Sequence, residues 1–369
     1  MRQSLGLFLA ALLLGVALAQ GDVDPREEAK RQKELLLSTA GILPTELVVM
    51  QGEELFHRKG PSGKTMAECD FGLGKGVLEG AAARLPRYFL DTNRVEDLDS
   101  RIVTCMTRVQ GFKPEEVKRD EVVAVAFYIA SKSTGHKIQV RLLFPEEREL
   151  YALGEKLFWA RSGARDVGCA TCHVSYVGRR AGVLPYADVL GKDKSWTHWP
   201  AYRYSNDQTW TMQDRIRACY GNIAHPQPAL YSQPILALGH YPAYHANGAA
   251  GGEWPALGRG GGGRRKVLVA LFALALAFAL AQRYFTEEEL KRIETGGKAY
   301  AEVFVGQRPD QALCSIHRNR LPADLLPKFL EEQRALIKYP ASGKLMGDWR
   351  KGGAIFNDLR KANCFSCHF

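Results

Sequence analysis

The sequence Gly154–His173, GEKLFWARSGARDVGCATCH, decides how the rest of the chain is interpreted. Its first residues continue the run PEERELYAL, which starts with proline and two glutamates, as helices commonly do. Its last five residues are the Cys-x-x-Cys-His sequence to which haem c is attached. Two thiols at this spacing reach one edge of a porphyrin, and the adjacent histidine binds the iron. We therefore expect Cys169 and Cys172 to bond a haem covalently and His173 to be an axial ligand of its iron.

Two other kinds of site also use a Cys-x-x-Cys pair. A thioredoxin-type redox site needs a βαβ setting, which this sequence lacks. A zinc site needs further ligands at suitable spacing. Haem is the better interpretation, because the histidine follows the second cysteine directly and a helix precedes the pair.

A second attachment motif, CFSCH, stands at the end of the chain. By the same reasoning we expect Cys364 and Cys367 to bind a second haem and His368 to bind its iron. The chain stops one residue later, at Phe369, whereas a common cytochrome c encloses its haem with a long following segment. We therefore expect this part to be an incomplete cytochrome, as in a truncated product or gene fragment.

Short phrases recur along the chain in the same order. The phrase GEELF at 52–56 returns as GEKLF at 154–158 and as GGAIF at 352–356, and each precedes a cysteine-containing segment. The phrase RIVTCM at 101–106 returns as RIRACY at 215–220. Finding both phrases in the same order favours duplication over chance.

These repeats predict the organisation of the chain. We expect one unit at 46–145, a second copy at 146–259, and a third, incomplete unit at 284–369. The first unit lacks the attachment motif and is expected to carry no haem, because Cys69 is followed by Asp-Phe-Gly-Leu. The predicted fold class is mainly α, with tandem cytochrome c-like domains and few strands.

Two stretches have the pattern of export signals. Residues 1–19 combine a basic start, an apolar run and small residues at the end, which predicts a secretory signal peptide and a periplasmic protein. The apolar run is shorter than the roughly 20 residues of a spanning helix, so no stable membrane span is expected. Residues 260–283 contain four consecutive glycines and then the same signal-like pattern, RRKVLVALFALALAFALAQ.

Composition and charge narrow the class of protein further. The 369 residues are 46% hydrophobic and 24% charged, as in ordinary globular proteins. The net charge of +10 is spread along the chain, so no nucleic-acid-binding stripe is predicted. A basic excess suits an anionic substrate or an acidic partner, and it also suits a solvated surface with no such role.

The motifs together resemble a known family. Residues 46–259 resemble the SoxA haem proteins of bacterial thiosulfate oxidation, through LFWARSGARDVGCATCH, WPAYR and RIRACYGN. Residues 284–369 resemble SoxX, the small cytochrome partner, through LPADLL, IKYPASGKLMGDWRKGGAIFND and NCFSCH. SoxA and SoxX are usually separate exported subunits, so the internal signal-like stretch resembles a SoxX leader. A natural fusion and an artefact of the reading frame both explain it, and the missing SoxX end favours the artefact.

This resemblance implies an activity and its residues. It implies an L-cysteine S-thiosulfotransferase that joins thiosulfate to a cysteine of the carrier protein SoxYZ and passes electrons through haem c to an accepting cytochrome c. It implies that Cys219 is both distal iron ligand and catalytic centre, able to carry an extra sulfur, and that Arg215 binds the substrate. On a helix these two residues share a face, and a guanidinium can pair with sulfonate oxygens. Arg203 and Arg217 would add positive potential.

Other interpretations of the cysteines and of the function stay open at this point. Cys219 could be a buried free thiol or could bridge to Cys69, Cys105 or Cys314. The first unit leaves Cys69 and Cys105 without haem or iron, and idle cysteines of an exported protein oxidise, so we predict a disulfide between them. A plain electron-transfer cytochrome is the alternative function, and it would tolerate methionine at position 219.

Overall fold

The computed structural model describes residues 31, 34–35, 38, 41–181, 184–191, 195–203, 206–249, 256–257 and 284–336. The two signal-like stretches and the second attachment motif, with Cys364, Cys367 and His368, lie outside these residues. Among the helices that the structure describes, none is both long enough and apolar enough to cross a membrane.

Far more of the described residues lie in helices than in strands, which confirms the predicted helix-rich fold. Proline stands in the first turn of several of them, where its missing N–H costs no helical hydrogen bond. In chain order the helices are α1 Pro44–His57, α2 Leu98–Arg108, α3 Arg119–Ser131, α4 Pro145–Trp159, α5 Met212–Asn222, α6 Gln233–His245, α7 Glu287–Glu294, α8 Lys298–Val305, α9 Pro309–Ile316 and α10 Leu326–Ala335.

The strands are short, and two hairpins lead directly into cysteine-bearing helices. The hairpin of β1 (Arg87–Phe89) and β2 (Arg94–Glu96) precedes α2. The hairpin of β5 (Ala201–Arg203) and β6 (Gln208–Trp210) precedes α5. Strand β7 adds to β5 in parallel, and β3 pairs with β4. The strands are β1 Arg87–Phe89, β2 Arg94–Glu96, β3 Arg180–Ala181, β4 Leu184–Pro185, β5 Ala201–Arg203, β6 Gln208–Trp210 and β7 Ala256–Leu257.

Two helix pairs, α1 with α3 and α4 with α6, pack through the glycines of the repeated phrases. A Cβ added to Gly52 would overlap the carbonyl oxygen of Ala124 in α3. A Cβ added to Gly154 would overlap the carbonyl oxygen of Ala237 in α6 in the same way. Only glycine therefore allows the backbones to approach this closely.

The aromatic residue of each phrase also makes the same contact in both pairs. The ring centroids of Phe56 and Tyr128 are 5.4 Å apart, with planes inclined by 53°. Those of Phe158 and Tyr241 are 5.3 Å apart, again inclined by 53°. The repetition that is visible in the sequence thus extends to the packing of the helices.

The segment 284–304 shares a core with α4 and α6. Its buried side chains belong to the same cluster as Leu153 and Phe158 of α4 and include Phe285, Ile293, Tyr300, Ala301 and Phe304. Ion pairs surround this contact: Lys156 Nζ lies 2.7 Å from Glu289 Oε1, and Arg318 Nη2 lies 2.6 Å from Glu155 Oε1. The described start of the predicted third unit therefore packs onto the second.

Candidate functional site

Helix α5 carries the two residues that are predicted to bind the substrate and to react with it. It carries Arg215 and Cys219 one turn apart. Thr211 is its N-cap, and the Thr211 N–H donates a hydrogen bond to Asp214 Oδ2 at 2.9 Å. An acidic residue in the first turn also complements the partial positive charge of the helix N-terminus.

The attachment motif lies in a short turn of unusual geometry. Residues Thr171–Ser175 form a single π-helical turn, a feature often found at functional sites. His173 Nδ1 donates a hydrogen bond to the carbonyl oxygen of Ala187 at 2.8 Å. Because this bond holds the proton on Nδ1, the other ring nitrogen, Nε2, is left as a ligand for a metal.

The structure brings the predicted site residues of the second unit together. The Cys219 thiol forms a hydrogen bond with the His173 side chain and lies close enough to Cys169 and Cys172 for their charges to interact. All three cysteines are free thiols rather than disulfide partners.

This donor set fits haem c. Cys169 and Cys172 are free to form thioether bonds, and His173 has its second nitrogen fixed by a backbone carbonyl, as metal-binding histidines usually do. The Cys219 thiol lies beside that imidazole, and a cysteine sulfur is of the kind that binds haem iron.

The surroundings of Cys219 favour its thiolate. Burial raises the pKa of this thiol, but the Arg215 guanidinium and the His173 side chain outweigh burial and lower it from 9.0 to about 7. Burial without such partners instead raises the pKa of Cys169 to about 12. The position is therefore suited to holding a negative sulfur, as a nucleophile or metal ligand requires.

Further positive charge lies next to Arg215. The Arg203 guanidinium is 5.9 Å from the ring centroid of Trp199 and 5.8 Å from that of Trp210. The Nε atoms of Arg203 and Arg217 are buried, and no group of the described residues accepts a hydrogen bond from them. Burial and the charge of Arg215 lower the pKa of Arg203. Unused donors on crowded cations are suited to receiving an anion.

Tyr300 of α8 also belongs to this region, and no motif of the sequence indicates it. Its hydroxyl donates to the hydroxyl of Tyr220 at 2.8 Å, and their ring centroids are 5.1 Å apart. Burial raises the pKa of Tyr220, as do the nearby Tyr300, Cys169 and Cys219. The apolar pattern of α8 predicts only a buried residue, so the sequence held no signal for this pairing.

The first unit differs at the corresponding positions. Cys69 and Cys105 form a buried disulfide with Cα atoms 5.8 Å apart. Arg101, which occupies the place of Arg215 in the repeat, is buried, and its Nη1 lies 3.2 Å from Glu96 Oε2. Its charge is therefore neutralised within the protein. Elsewhere, Cys314 is a buried free thiol.

The helical fold and a haem-attachment site define a c-type cytochrome. In agreement, the family model described as SoxA/TsdA, cytochrome c domain, matches residues 51–138, which is the unit without the motif. The L-cysteine S-thiosulfotransferase subunit SoxA of Hydrogenobacter thermophilus is 43% identical over 251 residues, 66% of this chain and 95% of that protein. The subunit of the same name from Hydrogenophilus thermoluteolus is 39% identical over 258 residues, 65% of this chain and 93% of that protein. The chain belongs to the SoxA family.

One solved structure is also similar. The crystal structure of SoxXA from P. pantotrophus covers 56% of this chain and 76% of that chain, with a TM-score of 0.48 and 22% identity.

Proposed function

We propose that this chain is the haem subunit of an L-cysteine S-thiosulfotransferase. It would couple thiosulfate oxidatively to a cysteine of the carrier protein SoxYZ and pass the electrons to an accepting cytochrome c. The observation that carries this proposal is the convergence of the Cys219 thiol, the His173 imidazole and the Arg215 guanidinium, because together they favour a reactive sulfur beside an anion-binding group. The names of the SoxA relatives support it.

Cys169, Cys172, His173 and Cys219 would hold haem c, which would supply one-electron redox chemistry. The rest of the site belongs to the chain itself. Arg215 binds the sulfonate oxygens of thiosulfate through paired hydrogen bonds. The same guanidinium lowers the pKa of Cys219, so that one side chain acts on both the substrate and the sulfur.

The overall reaction balances with two electrons released. A carrier thiolate and thiosulfate form one S–S bond, and the product is a cysteine that bears a thiosulfonate group with a single negative charge. The three negative charges of the reactants thus become one on the product and two on the departing electrons. The half-buried cations Arg203, Arg215 and Arg217 would favour the approach of both anionic reactants.

The wider organisation is also part of the proposal. Residues 46–145 and 146–259 are tandem cytochrome c-like units, and the matching contacts of Gly52 and Gly154 support the duplication. Residues 284–369 are a SoxX-like part, with Cys364, Cys367 and His368 as a second haem site. The signal peptide at residues 1–19 would direct the protein to the periplasm.

A Cys219→Met variant distinguishes this function from simple electron transfer. Methionine offers the iron a sulfur but no thiolate. We expect the variant to keep its covalent haem while conjugation of thiosulfate to the carrier cysteine, followed by mass spectrometry, slows by at least about a thousandfold. Conjugation by the variant at the rate of the unaltered protein would overturn the role of Cys219. No conjugation by the unaltered haem-loaded protein would overturn the transferase and leave the electron-transfer cytochrome.

A further inference from the structure

The helix that carries Arg215 and Cys219 is tied to the first unit by Arg119. Arg119 is the first residue of α3, where the partial positive charge of a helix N-terminus disfavours a cation. Its side chain is nevertheless largely buried, with 22% of its surface exposed. The stability of α3 therefore does not explain an arginine at this position. The contacts of its side chain with other elements explain it.

The partners of Arg119 are Thr211, the N-cap of α5, and Asp214 in its first turn. Arg119 Nη2 lies 2.6 Å from Asp214 Oδ2, and Arg119 Nε lies 3.2 Å from Asp214 Oδ1, which is a forked pair. Arg119 Nη2 also lies 2.6 Å from the hydroxyl oxygen of Thr211. Thr211 is the N-cap and Asp214 accepts its N–H, so Arg119 holds both groups that close the first turn.

The first unit secures the same turn through α2. Asp99 Oδ2 lies 2.8 Å from Arg119 Nη2 and accepts a hydrogen bond from the Thr211 hydroxyl. Gln213 Nε2 donates to Asp97 Oδ2 at 2.7 Å, while Asp97 Oδ1 caps α2. The N-termini of α2, α3 and α5 thus meet around one guanidinium and three carboxylates.

We propose that Arg119 is a positioning residue, through which the haem-less first unit fixes the placement of Arg215 and Cys219. Arg215 directly follows Asp214, and Cys219 lies one turn further along the same helix. A helix transmits the position of its first turn to the next, because its backbone hydrogen bonds leave little freedom between them. This inference rests on the proposed function of α5, and it gives the unit without a haem motif a role in the reaction.

The test compares Arg119→Gln and Arg119→Lys in the full-length haem-loaded protein. We expect hydrogen–deuterium exchange of the α5 amides at 212–219 to rise about tenfold or more in Arg119→Gln. We expect kcat for thiosulfate coupling to fall about 10- to 100-fold, since a displacement near 1 Å costs that much, while KM changes less. The electron paramagnetic resonance spectrum of the ferric haem should also shift. Lysine keeps the charge without the fork, so Arg119→Lys should give an intermediate result.

Arg58→Gln is the matched control. Arg58 forms a forked pair with Glu121, at 2.7 and 3.3 Å, wholly within the first unit. Its loss should lower stability without changing α5 exchange, the haem spectrum or kcat. If Arg119→Gln accumulates poorly, Asp99→Asn replaces it, because that change loosens the junction while the Arg119–Asp214 fork remains.

Three results would overturn the inference. The first is that Arg119→Lys, and also either Arg119→Gln or Asp99→Asn, show the same exchange, spectrum and kcat as the unaltered protein. The second is an equal effect of Arg58→Gln, which would indicate general destabilisation. The third is faster exchange without any change in spectrum or kcat. A failure of the proposed function is distinguishable, because the unaltered protein would then lack coupling activity while exchange and spectrum still report on Arg119.

Discussion

At the scale of single residues, the proposed function requires Cys219 to be both an iron ligand and a reactive sulfur. A buried thiol is normally neutral, because burial disfavours its charged form. Here the guanidinium of Arg215 and the side chain of His173 reverse that preference and lower the thiol pKa. The chemistry of the position therefore depends on these two neighbours as much as on the cysteine.

Replacement of Arg215 tests its part in binding. Arg215→Lys keeps the charge and loses the planar fork, so we expect KM for thiosulfate to rise about tenfold, with a smaller change in kcat. Steady-state coupling kinetics measure both constants. Arg108→Lys, at an exposed arginine that donates to a backbone carbonyl in the first unit, is the control and should change neither. An unchanged KM in Arg215→Lys would contradict direct substrate binding.

Asp99 gives stability a definite pH dependence. Burial and the nearby Asp97 and Asp214 outweigh the opposing Arg119 and raise the pKa of Asp99 from 3.8 to about 6. The folded protein thus holds this proton more tightly than the unfolded chain. Protonated Asp99 therefore contributes about 3 kcal/mol to the free energy of unfolding below about pH 4. This contribution declines as the pH rises and is lost by about pH 6.

Denaturant unfolding between pH 4 and pH 7 measures this effect. Asp99→Asn should remove the decline from the pH profile, whatever it does to absolute stability. Asp310→Asn is the contrasting variant, because Arg308 lowers the pKa of Asp310 despite partial burial, and its loss should leave the decline in place. A decline that persists in Asp99→Asn would assign it to another group.

Individual site residues differ in how far the sequence reveals them. Cys169, Cys172 and His173 are predictable, because covalent attachment dictates their spacing. Tyr300 and Arg119 are not, since each acts on a residue about 80 to 95 positions away, and only the packing of helices determines which side chains meet across such separations.

At the scale of elements, the repeated glycines set the distance between paired helices. Gly154→Ala would drive a methyl group into the carbonyl oxygen of Ala237, which is backbone and cannot rotate away. We expect a loss of about 2–3 kcal/mol in the free energy of unfolding, measured with denaturant. Gly52→Ala should cost a similar amount, because its added Cβ would meet Ala124 in the same way.

Gly306→Ala is the control for these substitutions. This glycine has an ordinary φ of −84°, and its added Cβ would come no closer than 3.2 Å to a neighbouring atom, Glu302 O. Its stability should change by less than about 1 kcal/mol. Equal effects at Gly306 and Gly154 would show that lost glycine flexibility, rather than helix separation, is responsible.

The contact between α5 and α8 is testable through its two hydroxyls. Tyr300→Phe leaves the Tyr220 hydroxyl buried without its partner, so we expect a loss of about 1–2 kcal/mol in unfolding free energy. The double variant with Tyr220→Phe should recover part of that loss, since neither hydroxyl is then stranded. Additive losses in the double variant would contradict a direct interaction.

Sequence periodicity predicts the helices well and their ends less well. The sequence around GEKLF offers Arg161 as a basic residue to end the helix, yet α4 ends at Trp159. The Arg161 N–H donates instead to the Ser315 hydroxyl at 2.9 Å. A helix end is thus decided by a contact with a distant segment, which local propensity does not contain.

At the scale of the whole molecule, the segment 284–304 completes a core that begins at α4. Phe285, Ile293 and Phe304 are buried against side chains of α4 and α6. Repeats along the sequence indicate where units begin, but they do not indicate which units share a hydrophobic core. The predicted boundary at 284 therefore describes the order of the chain better than it describes the packing.

Cleavage of the connection tests this shared core. A protease site introduced within 260–283 should give two pieces that stay together in size-exclusion chromatography at micromolar concentration. The buried aromatic side chains and the Lys156–Glu289 ion pair provide the attraction. High salt should weaken the association only slightly, because apolar burial dominates it. Separation of the pieces at low salt would contradict the shared core.

The hydroxyl pair of Tyr220 and Tyr300 has a consequence for the order of biogenesis. A chain synthesised from its N-terminus presents α4, α5 and α6 well before α8. Until α8 arrives, Tyr220 has no partner and the wall behind Cys169 is open. Packing of α8 would therefore be the step that closes this side of the attachment region.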